Sequence, residues 1–329
     1  MAKPHVCDPA LLETDLSGKR YVVTGANSGI GLITARQLAS QGAEVILACR
    51  RVSEAEARIE EMKAELPSAK LEARELDLGS IASVDAFADE LLADYDRLDG
   101  LINNAGVMNT PKGTTVDGFE TQIGINHVGH FALTERLLDV LKASAPSRIV
   151  NVSSCYHDKA MGRAGDIHLD DLHYESRKYD GWEAYAQSKL ANLLHAKGLA
   201  KRLEGTGVIA VSVHPGWVRT NLARNSMPLW VQNYLLRPVL RLAGMIEPWE
   251  GAQTTLYAAL DPSVEEHAGA YYSQLGIYRD KSCNAGGWPL ESPNPKAQDD
   301  ELVGALWMAT EEMVAQARVR NGAGRAKVA

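Results

Sequence analysis

Residues 19 to 51 carry the pattern that most restricts the fold: a β-branched run, a glycine loop, a helical stretch and a second apolar run. Lys19 to Thr24 (KRYVVT) reads as a strand. It stops at Gly25-Ala26-Asn27-Ser28-Gly29-Ile30-Gly31, after which helical periodicity continues through Leu38 and closes at Gly42. Glu44 to Ala48 (EVILA) is a second strand that ends at Cys49-Arg50-Arg51. Strand, loop, helix and strand in about thirty residues form a βαβ unit, which joins two parallel strands. The glycines permit a tight turn and close backbone approach, while the helix start offers free N–H groups and partial positive charge to a pyrophosphate. The loop is a candidate nucleotide site, spaced G-x-x-x-G-x-G where the familiar fingerprint is G-x-G-x-x-G.

The alternation continues. A charged helix from Ser53 to Leu66 stops at Pro67, and a strand from Leu71 to Leu76 ends at Asp77. Ser80 is a candidate N-cap for a helix reaching Tyr95. Leu101 and Ile102 form a short buried strand running into Asn103-Asn104-Ala105-Gly106. A helix from about Asn126 to Ala143 precedes the strand Arg148 to Val152, which ends at Ser153-Ser154. A helix from Trp182 to Leu203 and a strand from Val208 to Val213, ending at His214-Pro215-Gly216, complete the series. Such a chain is expected to be α/β, a doubly wound parallel sheet of the Rossmann type. Ligands in these sheets bind beyond the carboxyl ends of the strands. Thr24, Cys49-Arg50, Asp77, Asn103-Asn104, Ser154 and Pro215-Gly216 would therefore converge on one edge.

Two stretches stand outside the alternation. Cys155 to Ala184 is a long polar insertion rich in His and Asp. Met227 to Met245 is apolar with scattered arginines, and reads as a substrate lid or, second, as a membrane-surface contact. The expected organisation is an extension over residues 1–16 and a single catalytic domain over 17–275, with the lid at 219–247. A C-terminal helix and tail would follow over 276–329, frayed from Asn321 to Ala329.

The 329 residues, 45% hydrophobic, suffice for a full core. A net charge of −8, with no basic run interleaved with aromatics, argues against nucleic acid as a partner. Cys7, Cys49, Cys155 and Cys283 are scattered without metal-ligand spacing, consistent with reduced thiols inside a cell. No secretory signal and no run of 18 apolar residues is present, so an intracellular, soluble protein is expected; Asn151-Val152-Ser153 is discounted as a glycosylation site.

Two features carry chemistry. At the end of the second strand an acidic residue would bind a ribose 2′-hydroxyl and a basic one a 2′-phosphate. Arg50 and Arg51 stand there with no carboxylate before Glu54, which favours NADP(H) over NAD(H). Tyr185 and Lys189, four apart on one helix face, can share a site, where the ammonium would lower the phenol pKa toward neutrality. His127 and His130 lie one turn apart without a third metal ligand, so a structural role is expected and no metal. His157, Asp158, Asp166, His168, Asp170, Asp171 and His173 read as a polar loop, and Cys155 as a packing thiol beside Ser154.

In order along the chain come TGANSGIG, LDL, NNAG, INHVG, NVSS, YAQSK and PGWVRT. This series resembles the short-chain dehydrogenase/reductase family, and INNAGVM, SKLANLL and SVHPGWVRTNL resemble its retinol-dehydrogenase-like branch, over about residues 17 to 260. The resemblance implies a general acid/base at Tyr185, with Lys189 as its partner and nicotinamide-ribose contact. It implies that Ser154, rather than Ser153, holds the substrate oxygen, and that the Asn126 backbone completes a proton relay. Cofactor contacts are implied at Gly25, Ser28, Gly29, Ile30, Gly31, Arg50, Asp77, Leu78, Asn103, Asn104, Ala105, Gly106, Pro215, Gly216, Val218 and Thr220. A homo-oligomer is implied as well. The gap between Ser154 and Tyr185 is longer than in many family members but is shared by that branch, whose frequent hydrophobic anchor is missing here. The expected activity is hydride transfer between NADP(H) and a hydrophobic alcohol or carbonyl compound. The alternatives are a light-dependent protochlorophyllide-reductase-like enzyme and a non-catalytic NADP(H)-binding sensor or scaffold.

Overall fold

The strand Arg20–Thr24 (β1) is an interior strand of the sheet, its valines facing opposite ways with both faces covered. A computed structural model describes residues 3–220, 222, 240, 244–275 and 286–326, with side chains to 322. Along the chain follow the helix Gly29–Ser40 (α1), strand Glu44–Cys49 (β2), helix Val52–Glu65 (α2), strand Lys70–Glu75 (β3) and helix Ile81–Asp94 (α3). Next come strand Gly100–Asn103 (β4), a π-helical turn at Gly124–Val128, helix Gly129–Ala143 (α4) and strand Ser147–Val152 (β5). The series ends with helix Gly181–Arg202 (α5), strand Val208–His214 (β6), helix Pro248–Leu260 (α6), strands Tyr271–Ser273 (β7) and Gly287–Leu290 (β8), and helix Asp300–Ala326 (α7).

The strands lie in the order β8-β7-β6-β5-β4-β1-β2-β3. All neighbours are parallel except β8, which runs antiparallel to β7 at the edge. The order reverses between β1 and β4, the switch point of a doubly wound sheet. Side-chain alternation sends Val22, Ile46, Leu101, Ile149 and Ala210 to one face, where Phe87, Phe131, Leu137 and Leu199 cover them. Val23, Leu47, Ile102, Val150 and Val211 go to the other face, under Leu38, Ile59 and Leu256. Each such fully buried branched or aromatic side chain contributes roughly 1.5–3 kcal/mol over exposure.

Local chemistry sets the boundaries. Ser80 caps α3 by accepting from the Ser83 N–H at 3.3 Å, and Gly42 takes φ 92° just beyond α1. At the C-terminus α7 lays Trp307 edge-on against Phe131, 4.8 Å between ring centres, with the Arg202 guanidinium 3.7 Å from the indole. Gly198 makes room: a Cβ there would lie 2.9 Å from the indole. The expected fraying from Asn321 is corrected, because α7 continues to Ala326 and the Asn321 amide donates to Asp117 at 3.1 Å. Residues 1–16 also dock where described, with Cys7 and Leu16 buried and the Cys7 N–H donating to Gln253 at 3.0 Å. The Met227–Met245 stretch lies outside the described residues except for Leu240, Gly244 and Met245. Among the described residues no helix is long and apolar enough to cross a membrane.

Candidate active site

Parallel strands deliver their carboxyl ends to one edge, so Thr24, Cys49, Asn103, Val152 and His214 terminate on the same side. Thr24 organises the centre. Its hydroxyl accepts from the Asn104 and Ala105 N–H groups, both at 2.9 Å, while the Asn104 amide donates to the Thr24 carbonyl at 2.8 Å. The glycine loop folds tightly over this junction. A Cβ on Gly31 would lie 2.4 Å from Asn104 Nδ2, and Gly25 takes φ 65° within 3.0 Å of Ala105. Ser28 is the N-cap of α1 without a side-chain cap bond, and Ile30 lies in the first turn. The Thr220 methyl comes to 3.2 Å from where a Gly29 Cβ would be. The segment from Pro215 to Thr220 is held by Ile246, whose N–H donates to Trp217 and whose carbonyl accepts from Arg219. Val218 packs where a Gly251 side chain would be, and Gly216 has φ 90°.

At the end of β2, Arg50 is exposed and Arg51 pairs with Glu54 at 2.8 Å; Glu54 also accepts from the Asn27 amide at 2.8 Å. Asp77 accepts from the Gly79 N–H at 2.9 Å, and the neighbouring Leu78 carbonyl approaches so closely that Gly129 admits no Cβ. Asn103 brings its backbone to the strand end while its side chain points away from it. Its side chain turns into the interior and donates to Thr134 at 3.0 Å and Asn151 at 2.8 Å, stitching β4 to β5.

Helix α5 begins at Asp180, whose carboxylate accepts from the Trp182 and Glu183 N–H groups. It carries Tyr185 and Lys189 inward, 3% and 2% exposed. Lys189 Nζ donates to the Val152 carbonyl at 2.9 Å and stands 5.7 Å from the Tyr185 ring centre. The serine pair divides its work: Ser153 donates to the Lys189 carbonyl at 2.7 Å, whereas Ser154 hydrogen-bonds Tyr185. Asn126 lies in the π turn, a form that recurs at functional sites. Its side chain accepts from the Val107 N–H at 2.8 Å and donates to Ser188 at 2.9 Å, which bonds back to the Tyr185 carbonyl at 2.8 Å. A Gly106 side chain would fall 3.1 Å from Asn126 Oδ1 and 3.5 Å from Lys189 Nζ, so only glycine leaves that space open. Asn126, Ser154, Tyr185 and Lys189 thus form one cluster at the strand edge.

Sequence reasoning missed two members of this network. His130 donates from Nδ1 to the Asn126 carbonyl at 3.0 Å, and its Nε2 meets the Thr24 hydroxyl at 2.9 Å. A carbonyl can only accept, so in the neutral ring Nε2 is the acceptor and Thr24 donates to it. His127 bonds elsewhere, to Thr310 of α7 at 3.0 Å, so the HVGH pair serves two separate contacts. The only sequence signal for either was position: Thr24 at a strand end and His130 one turn after Asn126.

Comparison with known proteins agrees with this geometry. Residues 19–164 match the profile of the short chain dehydrogenase family. Human retinol dehydrogenase 12 is 44% identical, over 91% of this chain and 87% of its own. Human retinol dehydrogenase 13 is 41% identical, over 91% and 85%. The chain belongs to the short chain dehydrogenase family, in its retinol-dehydrogenase-like branch. A crystal structure of an uncharacterised Mycobacterium paratuberculosis protein superposes with a TM-score of 0.71 at 36% identity, over 92% of this chain and 95% of that one. As a short chain dehydrogenase the protein is an oxidoreductase acting on CH–OH and C=O groups with a nicotinamide cofactor.

The electrostatics of this dehydrogenase site correct one expectation. Burial pushes the Tyr185 phenol well above its ordinary range, and the Ser154 hydrogen bond opposes that shift. Burial also draws the Lys189 amine down to about 7. The charge expected to lower the phenol pKa is itself disfavoured by the same dry surroundings, and burial sets the direction of both shifts. His214, at the end of β6, is likewise driven to about 3 by burial, with His157 and Lys189 adding to the effect.

Proposed function

We propose that this short chain dehydrogenase transfers a hydride between NADP(H) and a hydrophobic alcohol or carbonyl compound, with Tyr185, Ser154, Lys189 and Asn126 as the catalytic group. The observation that carries this reading is the convergence of those four side chains beside the glycine loop. The residues present suit the cofactor. The α1 N-terminus and glycine loop fit a pyrophosphate, exposed Arg50 fits a 2′-phosphate, and Gly106 leaves open space beside Lys189. The nicotinamide, when bound, supplies or accepts the hydride.

The chain's own residues handle the oxygen and the proton. Ser154 donates from Oγ to the carbonyl oxygen and stabilises the negative charge that develops there. Tyr185 gives its phenolic proton to the same oxygen in reduction and takes it back in oxidation. Lys189, with a pKa near 7, exchanges protons readily and stabilises the phenolate as it forms. The Asn126 carbonyl, oriented by His130, receives the next proton-carrying group in the relay.

Two observations support an apolar substrate: the relatives are named retinol dehydrogenases, and Met227–Met245 is apolar in sequence. The test is NADPH oxidation against a panel of retinal, steroid ketones, nonanal and a short polar aldehyde. The apolar members should show kcat/KM at least about tenfold above the polar one. Equal turnover of the polar aldehyde would remove the substrate reading. Tight NADPH binding without any turnover would point instead to a sensor.

A further inference from the structure

The insertion after Ser154 is tied to a segment far along the chain. His157 closes the short 3₁₀ turn Cys155–His157 and is 0% exposed. Its Nδ1 lies 2.6 Å from the Ser154 carbonyl and its Nε2 2.6 Å from the Ser292 hydroxyl. The carbonyl can only accept, so Nδ1 carries the proton and Nε2 accepts from Ser292. The direction is fixed: hydroxyl to imidazole to carbonyl. Burial pulls the ring to about 4, so it stays neutral near pH 7.

Both the ring and the backbone of His157 are held. Asn294 donates from its side chain to the His157 carbonyl at 2.7 Å and to the Gly165 carbonyl at 3.0 Å. The Asn294 N–H donates to Ser292 Oγ at 3.2 Å, and Asn294 Oδ1 accepts from the Lys296 N–H at 3.0 Å. Gly165 passes so close that a Cβ would fall 1.9 Å from the His157 oxygen. Tyr271 of β7 stacks edge-on at 4.9 Å. Ser292 is only 8% exposed and Asn294 is buried. A purely packed loop could do with apolar residues here, whereas this cluster is directional and ends on the carbonyl of Ser154 itself.

We propose that His157, gripped by Ser292 and Asn294, is a positioning residue for Ser154, so that the segment Ser292–Lys296 sets how the Ser154 hydroxyl meets Tyr185 and the substrate oxygen. The proposal rests on the catalytic reading given above. Ser154 leaves β5 in an extended conformation, φ −162° and ψ 156°, and its hydroxyl accepts from the Tyr156 N–H at 3.2 Å. Its carbonyl accepts twice from His157, from the backbone N–H at 3.0 Å and from the ring Nδ1 at 2.6 Å, and the ring is the half of that anchor that Ser292 orients. A displacement of about 1 Å at such a group costs on the order of a hundredfold in rate.

The test compares His157→Phe, which keeps an aromatic ring without hydrogen bonds, with His157→Asn, which keeps an N–H near the Nδ1 position. Steady-state reduction of nonanal by NADPH gives kcat and KM, and fluorescence titration gives NADPH affinity. His157→Phe is expected to lower kcat at least about tenfold with NADPH affinity unchanged, and His157→Asn to recover most of it. If His157→Phe does not fold, Ser292→Ala carries the test, with kcat down about fivefold at unchanged NADPH affinity. Retained kcat in the variant that is measured overturns the proposal. So does a parallel loss of kcat, NADPH affinity and melting temperature, or an Asn variant no better than Phe. An inactive wild type would overturn the catalytic reading and this proposal together; an active wild type with an indifferent His157→Phe overturns this proposal alone.

Discussion

Lowering the pH from 7.5 to 5.5 should destabilise this dehydrogenase sharply, because it buries several neutral histidines. Burial draws His127 and His214 to about 3, and His130 and His157 to about 4. The sign follows from proton counting. A depressed histidine pKa means the unfolded chain binds more protons, so stability rises with pH through this window. The stabilisation is complete above the unfolded value near 6.5 and is lost progressively toward the folded values. An unfolded histidine goes from about one-tenth to about nine-tenths protonated over these two units, which costs about 1.3 kcal/mol per ring. The four rings together give about 5 kcal/mol, a large part of an ordinary domain's stability. Glu120 and Glu135, raised by burial, act in the opposite sense and offset part of the loss. Urea denaturation followed by circular dichroism across this range measures the effect. His214→Leu should reduce the loss by about 1.3 kcal/mol. A stability that changes by less than about 1 kcal/mol over the window would refute the reasoning, since the rings could not then be both buried and neutral.

Two further predictions concern the cofactor end of the site. Arg50→Asp should shift preference from NADPH toward NADH, read as the ratio of kcat/KM for the two cofactors, and an unchanged ratio rejects Arg50 as the phosphate contact. Gly31→Ala places a methyl 2.4 Å from Asn104 Nδ2 and 2.9 Å from the Gly25 carbonyl. It should weaken NADPH binding at least about tenfold in a fluorescence titration, and wild-type affinity would show that the loop yields without cost.

Much of the fold was legible because its signals are local. The β1–α1–β2 unit, the Ser80 cap and the end of α3 beside Tyr95 follow from periodicity and capping within a few residues. β7 has three residues and shows no alternation to read. α6 carries one local signal, Pro248 in its first turn, which fits a helix start. The π turn at Gly124–Val128 is silent in sequence, since INHVGHF reads as ordinary helix. In the site, Tyr185 and Lys189 were visible from i, i+4 spacing, but their electrostatics were not, because burial depends on the whole fold. The Asn103 side chain bonds to Asn151 and Thr134, a pairing set by strand neighbours and invisible in the motif. His157 and Ser292 lie 135 residues apart, and no spacing rule joins them.

The assay that bears most directly on the account is NADPH-dependent carbonyl reduction by Tyr185→Phe, run beside NADPH titration of the same protein. In the proposed reaction the phenol hydroxyl is the proton source at the substrate oxygen, and Phe keeps the buried ring while removing only that hydroxyl. Reduction should fall by at least about a hundredfold while NADPH affinity stays within a few-fold of wild type. Undiminished turnover in that variant would contradict the central claim and move the proton transfer to another group.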